Sequence, residues 1–214
     1  MDVSNVEQCL ALLVKAEEEF GTVDVLVNNA GMHSRGDLET VDPADVGAMV
    51  DINIRAPLVL SCAAIPYLRR TGGGGIVMVG SLAGMAPLQG AATYSGTKAG
   101  LRAFAYALAD EMRGTRIHVG VVSPGPIDTG FIMDEIDKVE DIVFSQPMSS
   151  PGDVADAVLK IAAGDKLEIP MPAASGKLTN LGYLFPRLRR YLRPKLYAKG
   201  RKNKDKYRNR QVNE

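Results

Sequence analysis

Four short runs rich in β-branched and other apolar residues, at 23–27, 75–80, 117–122 and 167–169, are separated by longer segments whose apolar positions recur every three or four residues. A strand buried on both faces reads as a short continuous apolar run, whereas a helix packed on one side reads as a 3.6-residue period. Strands that alternate with long helices must pair in parallel through right-handed crossovers, with helices covering the sheet. The periodicity predicts helices over 5–20, from Pro43 to about Arg70, from Tyr94 to about Arg113, and over 153–163. Ser4 followed by Glu7 reads as a capping box for the first helix and Gly21 as its stop; Asp42-Pro43 reads as the cap and first turn of the second.

At 214 residues and 46% apolar content the chain can bury one core and is too short for two ordinary domains. Apolar stretches end within a few residues at a charge or a glycine, and the N-terminus is polar. Neither a membrane span nor a secretory signal is visible, and a cytoplasmic location is expected. Cys9 and Cys62 stand in separate helical patterns without metal-binding spacing and read as small buried hydrophobes, so no metal site is expected.

The net charge of zero hides an asymmetry, because residues 177–214 hold 13 Lys and Arg against 2 Asp and Glu, leaving 12 against 23 in residues 1–176. The chain therefore divides into a domain over 1–176 and a basic tail over 177–214. The first part of the tail places Leu181, Leu184, Phe185, Leu188, Tyr191 and Leu192 at helical spacing among Arg187, Arg189, Arg190 and Arg193, interrupted by Pro186 and Pro194. An amphipathic basic segment of this kind can lie peripherally on an anionic membrane surface. The last fifteen residues, 200–214, have almost no apolar content and read as disordered. No aromatic platform accompanies the charge, so nucleic acid is not an expected partner.

Ligands of a parallel sheet sit beyond the carboxyl ends of its strands. Asn28-Asn29-Ala30-Gly31 follows the first run, Ser81 the second, and Ser123-Pro124-Gly125 the third, although turn chemistry alone explains each of them. Tyr94 and Lys98 add a reason to read them together. Four apart on a helix, they lie one above the other, and a cation beside the phenol lowers its pKa from about 10, making Tyr94 a usable general acid or base. Ser81 supplies a hydroxyl that can hold and polarise a carbonyl. Asn53 lies inside the long second helix with Pro57 four residues on, so its carbonyl lacks the usual N–H partner. That carbonyl either binds a water that passes protons between Tyr94 and solvent or is merely solvated in a kinked helix.

The ordered set of NNAG at 28–31, Asn53 within a helix, Ser81 thirteen residues before Tyr94, YSGTK at 94–98 and PGPIDT at 124–129 resembles the short-chain dehydrogenase/reductase family. The match runs from Asp2 to about Ile169. The resemblance implies a Rossmann-like, doubly wound parallel α/β sheet and NAD or NADP as cofactor. It implies Tyr94 as catalytic acid/base, Lys98 holding the nicotinamide ribose, Ser81 positioning substrate and Asn53 supporting a proton relay. Asp2 and Val3 match the family's adenine contact, Asn29, Ala30 and Gly31 its next cofactor loop, and Pro124, Gly125, Ile127 and Thr129 its nicotinamide-side loop. Residues 130–148 resemble the substrate lid, and the apolar residues Ile127, Phe131, Ile132, Met133 and Phe144 suggest a lipid-like or cyclic ketone as substrate. Homo-oligomers through long helices are common in the family.

One departure accompanies the resemblance. No G-x-x-x-G-x-G occurs in the chain, and Gly72-Gly73-Gly74-Gly75 precedes a strand, whereas a phosphate loop follows one and opens a helix. The first βαβαβ portion of the family fold is therefore expected to be absent, and an N-terminally truncated or incomplete chain with an exposed apolar sheet edge at 23–27 is expected. Two functional readings follow. One is an NAD(P)-dependent oxidoreductase interconverting a secondary alcohol and a ketone or aldehyde. The alternative is a non-catalytic fragment that binds no dinucleotide and acts through association or through its basic tail.

Overall fold

The computed structural model of the chain describes residues 1–211. Helix α1 (Val6–Phe20) is capped by Asn5, whose side chain accepts from Gln8 N at 2.9 Å, and ends at Gly21, left-handed at φ 79°. The Ser4–Glu7 capping box is not formed. Ser4 N donates instead to Asp2 Oδ1 (2.9 Å), which draws Ser4 into the preceding turn and moves the cap one residue on.

Strand β1 (Val25–Asn28) leads into a helix running continuously through α2 (Pro43–Val50), a π turn (Asp51–Arg55) and α3 (Ala56–Arg70). Asp42 caps it, accepting from Ala44 N at 2.8 Å. The π turn lies immediately ahead of Pro57, the residue without an N–H to offer, and a widened turn is a common response to such a missing bond. Pro43–Arg70 is also long and apolar enough to cross a membrane by length and composition. The buried side chains of Met49, Leu60, Ala64 and Leu68 make it a core helix instead, a length of apolar sequence the short-run reading missed.

Strand β2 (Gly74–Val79), the short helix α4 (Leu82–Met85), α5 (Ala92–Glu111) and strand β3 (Ile117–Pro124) follow. After them come α6 (Gly130–Met133), α7 (Pro151–Ala162), strand β4 (Glu168–Met171), α8 (Ala173–Leu184) and α9 (Pro186–Gln211). The strands form one parallel sheet in chain order β1-β2-β3-β4, with Val27 beside Val77, Val77 beside Gly120 and Val122 beside Ile169. The fold is a Rossmann-like α/β sheet with helices on both faces. Because the strand order advances one way while α7 covers the face opposite α3 and α5, the β3–α7–β4 crossover has the opposite hand to the two before it, unlike the uniform right-handed crossovers expected. One face packs Leu26, Ile76, Met78, Val119 and Val121 against α1, α3 and α5, and the other packs Val77 and Val122 against Val154, Ala157 and Ile161 of α7. Among the described residues β1 pairs only with β2, and Val25 and Val27 stay 46% and 41% exposed, the apolar edge expected from the sequence.

A half-buried carboxylate fixes β4 to β3 and α5. Glu168 accepts from Arg102 Nε (2.8 Å) and Nη2 (2.7 Å), from Tyr106 Oη (2.8 Å) and from Ser123 Oγ (2.8 Å). Burial pushes its pKa up, but these donors outweigh burial and hold it below the ordinary value of 4.5. Glu168→Gln is expected to cost about 2 kcal/mol, read as a lower urea midpoint. Because the folded pKa is the lower one, that contribution is present above the unfolded pKa and fades as pH falls through the folded one.

The tail differs from expectation. The region expected to be disordered is helical through Gln211, with 212–214 outside the described residues, and it packs on the acidic segment 137–145. Lys204 Nζ donates to Val139 O (2.6 Å), Asn203 Nδ2 to Phe144 O (2.9 Å), Arg201 pairs with Asp141 at 3.0 Å, and Arg208 pairs with Asp137. A side chain at Gly200 would fall 1.8 Å from Asp141 O, so only glycine allows the helix to lie this close. Low apolar content predicts disorder only for a chain lacking a partner of opposite charge, and here the partner is in the same molecule.

Candidate active site

The carboxyl ends of β1, β2 and β3 open into a cavity of about 780 Å³ lined by Asn29, Ala30, Gly31, Ser81, Pro124, Gly125, Ile127 and Thr129, with Tyr94 and Lys98 entering from α5. Eleven of the thirteen residues singled out in the sequence converge there or, for Asn53, directly beside it. Asp2 and Val3 do not line it. They belong to the turn ahead of α1, where Asp2 N donates to Gln8 Oε1 (2.8 Å) and Val3 O accepts from Cys9 Sγ (3.3 Å). Of the lid residues, Phe131 and Ile132 line the cavity, whereas Met133 and Phe144 lie behind it in a cluster that Ile132 shares with Ile136, Val139 and Tyr207.

Ser81 Oγ accepts from Ala83 N at 3.1 Å as the cap of α4 and stands within hydrogen-bonding reach of the Tyr94 hydroxyl. α4 fits against α5 because residue 84 is glycine, a Cβ there falling 2.6 Å from the Lys98 carbonyl. Burial raises the Tyr94 pKa, opposed by the Ser81 hydroxyl and by the Arg35 cation. The expected lowering by Lys98 is therefore not found. The Lys98 ammonium sits 5.8 Å from the centre of the Tyr94 ring and reaches back to donate to Val79 O (2.9 Å) at the end of β2. Only 4% exposed, Lys98 has its own pKa pushed down to about 8 by burial.

Sequence reasoning rested on the Asn53 carbonyl, but the fully buried side chain is what reaches the site. Its Oδ1 accepts from Met32 N (2.9 Å) and its Nδ2 donates to Met32 O (2.9 Å) and to Thr97 Oγ1 (3.2 Å). Thr97 Oγ1 in turn donates to Tyr94 O (2.8 Å), so the amide ties the loop after β1 to the turn that carries the phenol. A Cβ on Gly31 would lie 3.4 Å from Asn53 Oδ1 and 3.5 Å from Lys98 Nζ, a measure of how closely the three elements meet.

His33 and Arg35 escaped the sequence reading, although both follow NNAG within four residues. The His33 ring stacks on Tyr94 with centroids 4.1 Å apart and planes 13° apart. Arg35 Nη1 donates to His33 Nδ1 (2.9 Å), so the ring proton sits on Nε2, which is buried without a partner. Burial first, then the Arg35 cation, holds the His33 pKa down at about 3. Since the folded pKa of about 3 lies below the ordinary 6.5, the unfolded chain takes up a proton across that window that the folded chain refuses, and stability falls with acid. His33→Phe keeps the stack and is expected to remove this part of the fall, measured as thermal midpoints at neutral pH and near the middle of the window.

The sequence model described as short chain dehydrogenase matches residues 1–140. A ketoacyl reductase of Nostoc sp. is 32% identical over 169 residues, covering 78% of this chain and 58% of its own length. An oxidoreductase of Botryotinia fuckeliana is 30% identical over 194 residues, covering 91% of this chain and 70% of its own length. The crystal structure of a 3-ketoacyl-(acyl-carrier-protein) reductase from Brucella melitensis complexed with NADH superposes with a TM-score of 0.71 at 25% identity, covering 81% of this chain and 76% of that one. The chain thus spans little more than half the length of the Nostoc relative. With the family model matching most of the chain and the motif residues gathered on one rim of a parallel sheet, this chain belongs to the short chain dehydrogenase family.

Proposed function

We propose that the chain acts as an NAD- or NADP-dependent oxidoreductase that interconverts a secondary alcohol and a ketone or aldehyde. The observation that carries this reading is that Ser81, Tyr94 and Lys98 line one mostly apolar cavity, with the buried Lys98 ammonium 5.8 Å from the Tyr94 ring centre. Ser81 donates to the carbonyl oxygen and fixes it beside Tyr94. As the carbonyl carbon gains a C–H bond, Tyr94 gives its hydroxyl proton to that oxygen, and in alcohol oxidation the phenolate takes the proton back. The bound nicotinamide supplies or accepts the hydride.

The residues present fit one half of such a cofactor. Lys98 spends one of its three donors on Val79 O, and Gln146 Oε1 is a buried acceptor in the cavity wall without a partner, a polar setting suited to ribose hydroxyls and a carboxamide. Gly72–Gly75 is not placed to hold the phosphates, since Gly72 and Gly73 lie in the turn leading into β2 and Gly74 and Gly75 are the first residues of that strand, at its amino end. Lys98 would hold the ribose, and Pro124, Gly125, Ile127 and Thr129 would border the nicotinamide.

The cavity wall is mostly apolar, with Leu82, Leu88, Phe131, Ile132, Leu178 and Leu196 beyond the hydroxyls, which favours a lipid-like substrate. Residues 178–196 would meet an anionic membrane surface from the cytoplasmic side. A nicotinamide fluorescence titration tests the reading. Saturable binding at micromolar to millimolar cofactor is expected, and none at millimolar levels would leave the non-catalytic alternative.

A further inference from the structure

We propose that the elbow between α8 and α9 docks on an anionic lipid bilayer and that α8 is the wall separating that bilayer from the catalytic cavity. The proposal deepens the lipid-like substrate reading and shares its cavity. α8 has two working sides: Ser175, Thr179 and Gly182 line the cavity, whereas Leu181, Leu184 and Phe185 point outward at 44%, 71% and 55% exposure. Leu178 belongs to both, lining the cavity while 55% exposed. Leu188 and Tyr191, 43% and 73% exposed, continue the outer surface onto α9. Arg189 Nη1 donates to Pro87 O (3.0 Å) and lines the cavity, holding the elbow at its rim. A cluster of large exposed apolar side chains marks a docking surface.

Charge identifies the occupant. From Lys177 to Lys204 the sequence has no Asp or Glu. Lys177, Arg187, Arg190 and Lys195 are exposed and make no ion pair among the described residues. Further along the same helix, Arg201, Lys204 and Arg208 are neutralised by Asp141 and Asp137. The basic chain thus separates into a distal part in which Arg201, Lys204 and Arg208 are spent on its own fold and a proximal part whose unpaired cations flank apolar side chains. A second copy docked elbow to elbow would bring Arg187 and Arg190 against a surface of the same sign, because the elbow itself carries no Asp or Glu. A bilayer carrying anionic headgroups satisfies both features, with the apolar side chains in the headgroup boundary and the cations on the phosphates.

Flotation of the full chain with vesicles of phosphatidylcholine alone, or containing about a third phosphatidylglycerol, tests this without cofactor or substrate. Binding to the anionic vesicles is expected to be at least tenfold stronger and to weaken with salt. Leu184→Asp/Phe185→Asp and Arg187→Glu/Arg190→Glu should each reduce it about tenfold or more, while Lys206→Glu leaves it unchanged. The arginine pair is fully on the surface, so it remains informative if the apolar pair misfolds. Equal binding to both vesicle types, or none, overturns the proposal, as does a dimer in sedimentation velocity that the elbow variants dissociate. Vesicle binding without any cofactor binding would sink the oxidoreductase reading alone, and turnover without vesicle binding would sink the docking alone.

Discussion

Tyr94→Phe is expected to lower kcat by about 10³-fold while leaving cofactor affinity and the unfolding midpoint nearly unchanged. The substitution removes one oxygen. The ring remains to stack on His33, Ser81 keeps its bond from Ala83 N, and Thr97 still donates to the backbone carbonyl of residue 94. What disappears is the proton that the reacting oxygen needs at the moment the C–H bond forms. Steady-state kinetics in the reduction direction, paired with thermal unfolding, separates the two effects. Because burial raises the Tyr94 pKa, alcohol oxidation by the wild type should quicken as pH rises and the phenol ionises, whereas the variant should lack that rise. A variant within tenfold of wild type would remove Tyr94 from the chemistry.

Lys98→Ala is expected to cost about 10²-fold in kcat/KM, divided between weaker cofactor binding and a slower proton step. It should nevertheless not weaken the fold at neutral pH. Burial that lowers the Lys98 pKa to about 8 means that the folded chain carries its charge reluctantly. Between about 8 and the ordinary 10.5 the unfolded chain binds more protons than the folded one, so wild-type stability gains from this group as pH rises through that window. Urea midpoints across the same window should show the gain in the wild type and not in the variant. Unchanged kinetics together with unchanged cofactor affinity would exclude the dual role of Lys98.

Backbone periodicity carried most of the fold. The parallel sheet and its helices follow from β-branched runs and 3.6-residue spacing, signals that tertiary packing reinforces. Local competition shifted the details. Ser4 lost the capping position because Asp2 captured its N–H, and the residue types alone do not decide between two adjacent caps. Composition alone reads the tail as disordered, and it does not show that Lys204 and Arg201 find carbonyls and carboxylates about sixty residues away in sequence.

The site was legible as a constellation and less so as electrostatics. Tyr94, Lys98 and Ser81 meet as their spacing suggested, but helical spacing places Cβ atoms and says little about where a long side chain ends. Lys98 turns to the Val79 carbonyl, and Arg35 is the cation acting on the phenol. Asn53 drew attention through Pro57, yet its side chain, held by Met32 and Thr97, is the part that organises the site. His33 carried no spacing signal at all. Its stacking on Tyr94 depends on the path of the loop after β1, which no periodicity describes.

The most direct test follows the atoms. Incubating the chain with a nicotinamide donor deuterated at its transferable position and a series of apolar ketones should give secondary alcohols bearing deuterium on the carbinol carbon, with the label nearly lost for Tyr94→Phe. Alcohol without deuterium, or labelling undiminished in Tyr94→Phe, would contradict a mechanism in which the cofactor's hydride and the Tyr94 proton arrive at the same carbonyl.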